Sequence, residues 1–237
     1  METCILRRFS RSFKQWFVEG VELALGANPA SIGLKFDLDW TKESTAMSLN
    51  QKQCVTGVIL AGGQGRRMGG HDKGWVEFQN KPFIQHVLER LRPQVDQLII
   101  NANRSQAAYQ ALGVPVVEDL QTGFQGPLMG IATALSAAEH EWVLCVPCDG
   151  LFIPQDLVSR LLQAALNSGR AIVVADDGDR LQPMVVLLKR SVLPNLLQAL
   201  EQGERKPDRW YASQGMAQVS FSVDELYNFN YPEQLLD

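Results

Sequence analysis

Gly57-Val58-Ile59-Leu60-Ala61-Gly62-Gly63-Gln64-Gly65-Arg66-Arg67-Met68-Gly69-Gly70-His71-Asp72-Lys73-Gly74 decides the reading of this chain. An apolar run passes directly into a loop of repeated glycines. Glycine has no Cβ, so its backbone takes positive φ and approaches a ligand closely. Successive N–H groups in such a loop make an anion-binding concavity. Arg66, Arg67 and Lys73, within eight residues of the loop, add positive charge where a polyphosphate would sit. Open α/β sheets bind ligands beyond the carboxyl ends of their strands, and the strand-then-loop order puts this loop there. The stretch predicts a nucleoside triphosphate site, with Gly62 and Gly63 among the nucleotide-binding candidates.

Two familiar phosphate motifs do not fit. A dinucleotide fingerprint leads tightly into a helix and wants an acid at the end of the second strand. Here the second apolar strand ends in Asn101-Ala102-Asn103-Arg104. A P-loop needs Gly-Lys-Ser/Thr entering a helix, but Lys73 is followed by Gly74 and Trp75.

Outward from the loop, strands and helices alternate. Strands are expected at Val55 to Ala61, Gln97 to Ala102, Val114 to Val117, Trp142 to Val146, Ala171 to Ala175 and Pro183 to Leu188, with a short element at Ala217 to Ser222. Helices are expected from Lys81-Pro82, from Gln106 to Leu112, from Leu128 to Ala138, from Pro154 to Leu166 and from Val192 to Leu200. Nearly continuous apolar strands between amphipathic helices imply a mostly parallel sheet covered on both faces. The fold class is α/β, a three-layer α/β/α Rossmann-like domain without internal repeats.

Composition narrows the function classes. The chain has 237 residues, 46% hydrophobic and 20% charged, with a net charge of −4. A general nucleic-acid binder would carry a basic footprint, so no nucleic-acid partner is expected. No apolar run approaches the roughly 18 residues of a membrane span. The four cysteines, Cys4, Cys54, Cys145 and Cys148, make no disulfide framework, so a reducing cytoplasm is expected. Cys145 and Cys148 form a C-x-x-C inside an apolar strand, where side chains three apart point to opposite faces. They are read as core residues. Residues 1–52 are read as an N-terminal extension ahead of the domain at 53–237. It is expected to be disordered or an artefact of an overextended gene start, with Met47 as the natural one. A short amphipathic helix over Arg11 to Leu25 is compatible with the spacing of Phe13, Phe17, Val21 and Leu25.

Asp149 follows the strand that ends in Pro147-Cys148, so its carboxylate should emerge at the same sheet edge as the glycine loop. A hard carboxylate there suits Mg²⁺, which takes one or two carboxylates plus phosphate oxygens. Asp119 also ends a strand and is a candidate for base, ribose or metal, or for a turn. Gly126-Pro127-Leu128-Met129-Gly130 opens a helix whose free N–H groups suit an anion, or it is simple helix initiation. Asp176, Asp177 and Asp179 read as a solvated turn around Gly178.

Taken together, Leu60-Ala61-Gly62-Gly63, Arg67-Met68-Gly69 and Asp72-Lys73 resemble the nucleotidyltransferases that build activated cofactors and sugars. The Arg-Met-Gly-Gly-x-Asp-Lys-Gly form is most similar to the molybdenum cofactor guanylyltransferases. Asn101-Ala102-Asn103-Arg104, Glu118-Asp119, Gly126-Pro127-Leu128-x-Gly130, Pro147-Cys148-Asp149, Gly203-Glu204-Arg205 and Asn228-x-Asn230-x-Pro232-Glu233 follow in the same order. The resemblance implies transfer of GMP from GTP to the terminal phosphate of molybdopterin or Mo-molybdopterin, with release of diphosphate. It implies that Leu60, Ala61, Gly62, Lys73, Asn101 and Asp119 contact GTP and that Asp149 holds Mg²⁺ and the phosphates. Arg67, Lys73 and Asp149 become the catalytic set, and Arg205, Lys206, Asn228 and Asn230 the acceptor side. It also implies transient contact with molybdenum-insertion or molybdoenzyme-maturation proteins. Departures lie at Gly150, where Thr-Pro is familiar, at Gln182, where His is expected, and at Lys206, where a second Arg is expected. The competing readings are a nucleotidyltransferase that uses CTP or a sugar phosphate, and a nucleotide-binding regulatory module without turnover.

Overall fold

The computed structural model describes residues 53–63, 70, 72–123, 125–226 and 229. The expectations for residues 1–52, and for Arg66, Arg67, Asn228 and Asn230, lie outside the described residues.

A single seven-stranded sheet organises the chain. Its strands are β1 (Val55–Leu60), β4 (Gln97–Asn101), β5 (Val116–Val117), β6 (Trp142–Pro147), β7 (Ile172–Asp176), β8 (Leu181–Lys189) and β9 (Ala217–Ser220), in the spatial order β5-β4-β1-β6-β8-β7-β9. A separate two-stranded hairpin joins β2 (Glu77–Phe78) to β3 (Lys81–Pro82). The helices are α1 (Phe83–Leu91), α2 (Gln106–Gln110), α3 (Pro127–Ala137), α4 (Leu157–Ser168), α5 (Leu193–Glu201) and α6 (Pro207–Gln214).

β1 pairs in parallel with β4 on one side and β6 on the other, and β4 pairs in parallel with β5. Only β8 is reversed: it runs antiparallel to both β6 and β7, while β9 returns parallel to β7. The mostly parallel, two-faced sheet expected from the apolar runs is therefore present. Side-chain alternation divides the core. Val55, Ile59, Ile100 and Leu144 pack with residues of α1, α2 and α4 on one face. Val58, Ile99, Val143 and Val186 pack with α3, α5 and α6 on the other. Gly57 sits where α1 closes over the sheet: a Cβ there would lie 3.0 Å from a Val95 methyl and 3.2 Å from a Leu91 methyl.

The structure corrects several expected bounds. Lys81-Pro82 is a short strand, and the helix begins at Phe83. The β2–β3 turn places Gln79 and Asn80 at φ of 51° and 60°, the positive values that a two-residue hairpin of the primed type requires. The third strand shrinks to Val116–Val117: Pro115 before it gives its carbonyl to the Ile100 N–H at 2.9 Å but has no N–H to return. α6 was not anticipated: its composition is polar, but it buries Trp210 and Tyr211. Their polar ends are satisfied, with Trp210 Nε1 donating to Asn195 Oδ1 at 3.0 Å and Tyr211 OH to the Pro183 carbonyl at 2.9 Å. The Asp176–Asp179 turn is not wholly solvated. Asp177 is buried and accepts from the Gln182 amide at 2.5 Å and from the Arg180 and Asp179 N–H groups. Burial pushes its carboxyl pKa up, but those bonds outweigh it and hold the group below its ordinary value.

Cys145 and Cys148 fall in the two opposite core clusters, as a strand spacing of three dictates. Burial pushes the Cys145 thiol up to about 12 from 9.0 and pushes Cys148 higher still, with the neighbouring Asp149 charge as a second cause. An unfolded thiol ionises near pH 9 while the folded one stays protonated, so these thiols favour the fold below that pH and the benefit is lost as pH rises. We predict that a thiol reagent at pH 8 labels exposed Cys54 in the native protein and leaves Cys145 and Cys148 unlabelled until denaturant is added, as read by peptide mass spectrometry.

Candidate active site

Four adjacent strands deliver the site. Gly62 and Gly63 follow β1, Asn101 ends β4, Asp119 lies two residues beyond β5 and Asp149 two beyond β6. The pairing continues past the strand ends. The Ala61 N–H donates to the Asn101 carbonyl at 2.8 Å, Ala102 N–H to Val117 at 2.9 Å and Cys148 N–H to Leu60 at 3.2 Å. The loop therefore leaves the sheet with Asn101 and Asp119 on one side and Asp149 on the other.

On the β4–β5 side, Asp119 is locked by asparagines. Asn101 Nδ2 donates to Asp119 Oδ1 at 3.0 Å and to the Val117 carbonyl at 3.3 Å. Asn103 Nδ2 donates to Asp119 Oδ2 at 2.8 Å, and Asn103 Oδ1 accepts the Asp119 N–H at 2.9 Å. Asn101 is 1% exposed, and Asn103 and Asp119 are half-buried. Two glycines make room for this network. A Cβ on Gly62 would lie 2.9 Å from Asn103 Nδ2, and one on Gly130 would lie 2.9 Å from Asn101 Oδ1 and 3.3 Å from a Leu60 methyl. This is how α3 brings Gly130 and Leu60 into the site.

On the β6 side, Lys73 Nζ donates to Asp149 Oδ2. These two predicted catalytic residues meet across the loop. Lys73 begins a short 3₁₀ turn, Lys73–Trp75, for which Asp72 is the cap, accepting the Gly74 N–H at 3.3 Å. Asp72 Oδ1 also accepts from Tyr109 OH at 2.6 Å. Burial and that carboxylate hold the Tyr109 hydroxyl well above the usual phenol range, so Tyr109 stays a neutral donor. A side chain on Gly74 would collide with the same hydroxyl. Asp149 is 8% exposed. Its turn is anchored by a small aromatic cluster in which Phe83, Leu151 and Phe229 are buried beside Phe78 and Phe152. The Phe229 N–H lies 3.4 Å from the Asp149 carbonyl, which brings the residue between Asn228 and Asn230 to the Asp149 turn.

The acceptor-side expectations fare unevenly. Arg205 does not project a free guanidinium: Nη1 donates to the Leu200 and Glu204 carbonyls at 2.7 and 2.8 Å, and Nη2 to Gln125 Oε1 at 3.1 Å. It buttresses the second glycine turn, where Gly126 has φ of +85° and the Arg205 carbonyl would lie 3.7 Å from an added Cβ. Lys206 is exposed. No group of three or more His, Cys, Asp or Glu side chains able to hold a metal occurs among the described residues. Asn103, Arg104, Asp72 and Tyr109 were not anticipated as site residues. The period of two along β4 puts Asn103 on the face of Asn101, a signal that was available.

Known proteins can now be set beside this geometry. Residues 57–218 match the family described as MobA-like NTP transferase domain. The chain is 46% identical over 182 residues to a molybdenum cofactor guanylyltransferase of Shewanella halifaxensis, covering 76% of this chain and 91% of that protein. Among solved structures, it is similar to molybdopterin-guanine dinucleotide biosynthesis protein A from Archaeoglobus fulgidus, with a TM-score of 0.65 at 22% identity over 76% of this chain and 95% of that one. It is also similar to the 2-C-methyl-D-erythritol 4-phosphate cytidylyltransferase of Thermus thermophilus, with a TM-score of 0.58 at 15% identity over 76% and 94%. The fold is thus common to proteins named for different nucleotides.

Helix-interior Gly→Ala exchanges ordinarily stabilise by about 1 kcal/mol. At Gly130 the Asn101 amide occupies the space, so Gly130→Ala is expected to give no rise in Tm by thermal unfolding.

Proposed function

The chain belongs to the MobA-like NTP transferase family, and on that premise we propose that it transfers GMP from GTP to the terminal phosphate of molybdopterin or Mo-molybdopterin. One observation carries the chemical part of the proposal: Lys73, on the 3₁₀ turn Lys73–Trp75, donates to Asp149, two residues beyond β6. Mere nucleotide binding needs the loop and the lysine. A carboxylate beside the phosphates would repel them unless a cation intervened; Lys73 is that cation in the structure, and a metal would take its place if Lys73 turned to the phosphates. The relatives' names and the level of identity favour GTP over the CTP-using reading.

The reaction asks little proton chemistry of the protein. A phosphate oxygen of the acceptor attacks the α-phosphorus of GTP and forms the new P–O bond. The bond from the α-phosphorus to the bridging oxygen breaks, and diphosphate leaves with the electron pair. The nucleophile is already anionic at neutral pH, so no general base is required. The protein must align the two phosphates and offset their charge. Lys73 would neutralise the triphosphate, and the backbone of Leu60, Ala61, Gly62 and Gly63 would approach it closely. Asp119, held by Asn101 and Asn103, would read the guanosine end. Asp149 is the residue that would hold Mg²⁺, taking it in exchange for the Lys73 ammonium that it binds in the structure, and a carboxylate suits an ion that takes its remaining ligands from phosphate and water. Bound there, the ion would supply charge neutralisation of the phosphate oxygens. Arg67, Asn228 and Asn230 belong to the proposal on sequence grounds alone.

No described helix is long and apolar enough to cross a membrane. A cytoplasmic setting and a transient handover from molybdenum-insertion or molybdoenzyme-maturation proteins form part of the same proposal.

Diphosphate release with GTP, Mg²⁺ and molybdopterin tests the reading. Asp149→Ala is expected to lower turnover by about 100- to 1000-fold, and Lys73→Ala by a similar factor, with both proteins folded by circular dichroism. Near-normal turnover in Asp149→Ala would refute the metal role of this carboxylate. Binding of GTP without any diphosphate release by the wild type would favour the regulatory module.

A further inference from the structure

The end of β4 does more than present Asn101. The next residues turn sharply, because Ser105 adopts a left-handed backbone with φ of 53°. Such a conformation at a non-glycine residue is costly and persists where the surroundings over-determine it. On either side of it, Arg104 and Tyr109 both return to the loop that follows β1. Arg104 Nη1 donates to the Gly70 carbonyl at 2.8 Å and Nη2 to the Gly63 carbonyl at 3.1 Å. Its Nε lies 3.8 Å from Asp72 Oδ2. One planar guanidinium thus holds two carbonyls seven residues apart in sequence and faces the carboxylate that caps the Lys73 turn.

We propose that Arg104 is a positioning residue that fixes Gly63 and Gly70 relative to each other and, through Asp72, seats Lys73 against Asp149. The rigid fork of arginine suits this task, because it sends parallel N–H groups to two acceptors at once. A lysine ammonium has three donors but no planar fork to hold two carbonyls with parallel N–H groups. The role of Arg104 toward the nucleotide rests on the functional reading above. Its role toward Asp72 and the loop ends does not.

The test uses the full chain with Arg104→Ala, Arg104→Lys and the double variant Arg104→Ala/Asp72→Asn. The first readout is binding of GTP and of GMP by titration calorimetry. Arg104→Ala is expected to weaken GTP by about tenfold or more while changing GMP by less than about twofold, since only the triphosphate relies on Lys73. Arg104→Lys should leave most of that loss in place. Adding Asp72→Asn should cost little more, as expected for residues acting in one chain. The second readout needs no ligand. Hydrogen exchange at the Gly74 amide, which Asp72 caps, should speed up in Arg104→Ala while exchange in β1 and β6 stays unchanged. Equal weakening of GTP and GMP with faster exchange throughout the sheet would mean a general structural role and would overturn the proposal. Unchanged GTP binding together with unchanged Gly74 exchange would overturn it as well. If the wild type does not favour GTP over GMP, the functional reading falls, and the exchange readout still decides the role of Arg104.

Discussion

The parallel pairing of β1 with β4 on one side and β6 on the other is what the site depends on. Parallel strands end at the same edge, so the loop after β1 emerges between whatever follows its two neighbours. Here β4 leads to the two asparagine amides that hold Asp119, which follows β5 on the far side, and β6 leads to the carboxylate bound by Lys73. Shifting either pairing by one residue would turn every β1 side chain to the opposite face. Val58 and Ile59 would then exchange core clusters, which the packing on both faces does not permit.

The four residues that close β4 serve both halves of the site. Asn101 and Asn103, on one face, fix Asp119. Arg104 turns back to Gly63, Gly70 and Asp72. The proposed guanosine end and the proposed phosphate end are therefore not independent constructions. They share one short segment, and Gly62 and Gly130 are small so that this segment can lie close to β1 and α3. The third support is the aromatic cluster around Phe229, which ties the C-terminal part of the chain to the Asp149 turn.

Much of this was legible in the sequence, for physical reasons. Buried parallel strands must be almost wholly apolar, so β1, β4, β6 and β7 stand out, and a polar residue directly after such a strand must emerge at its end. That reasoning places Asp119 and Asp149 without a structure. It fails for β8, because an apolar run reads the same in either direction, and its antiparallel course is set by the short turn at Gly178. It fails for the β2–β3 hairpin, whose strands of two residues carry no periodicity. It fails for Asp177, whose buried carboxylate is held by the Gln182 amide from the next strand. The contacts of Arg104 depend on β4 lying beside β1, which no local pattern carries. Arg205 is placed on the acceptor side by resemblance alone, and in the structure its guanidinium donates to the Leu200 and Glu204 carbonyls.

In the proposed reaction the guanylyl group itself moves to the pterin phosphate. The most direct measurement incubates the protein with molybdopterin, Mg²⁺ and GTP labelled either at the α- or at the γ-phosphate, and separates the products. The account predicts α-label in the pterin dinucleotide and γ-label in diphosphate, with no comparable transfer from α-labelled CTP. Retention of the α-label in GTP or free GMP, or equal transfer from CTP, would contradict it.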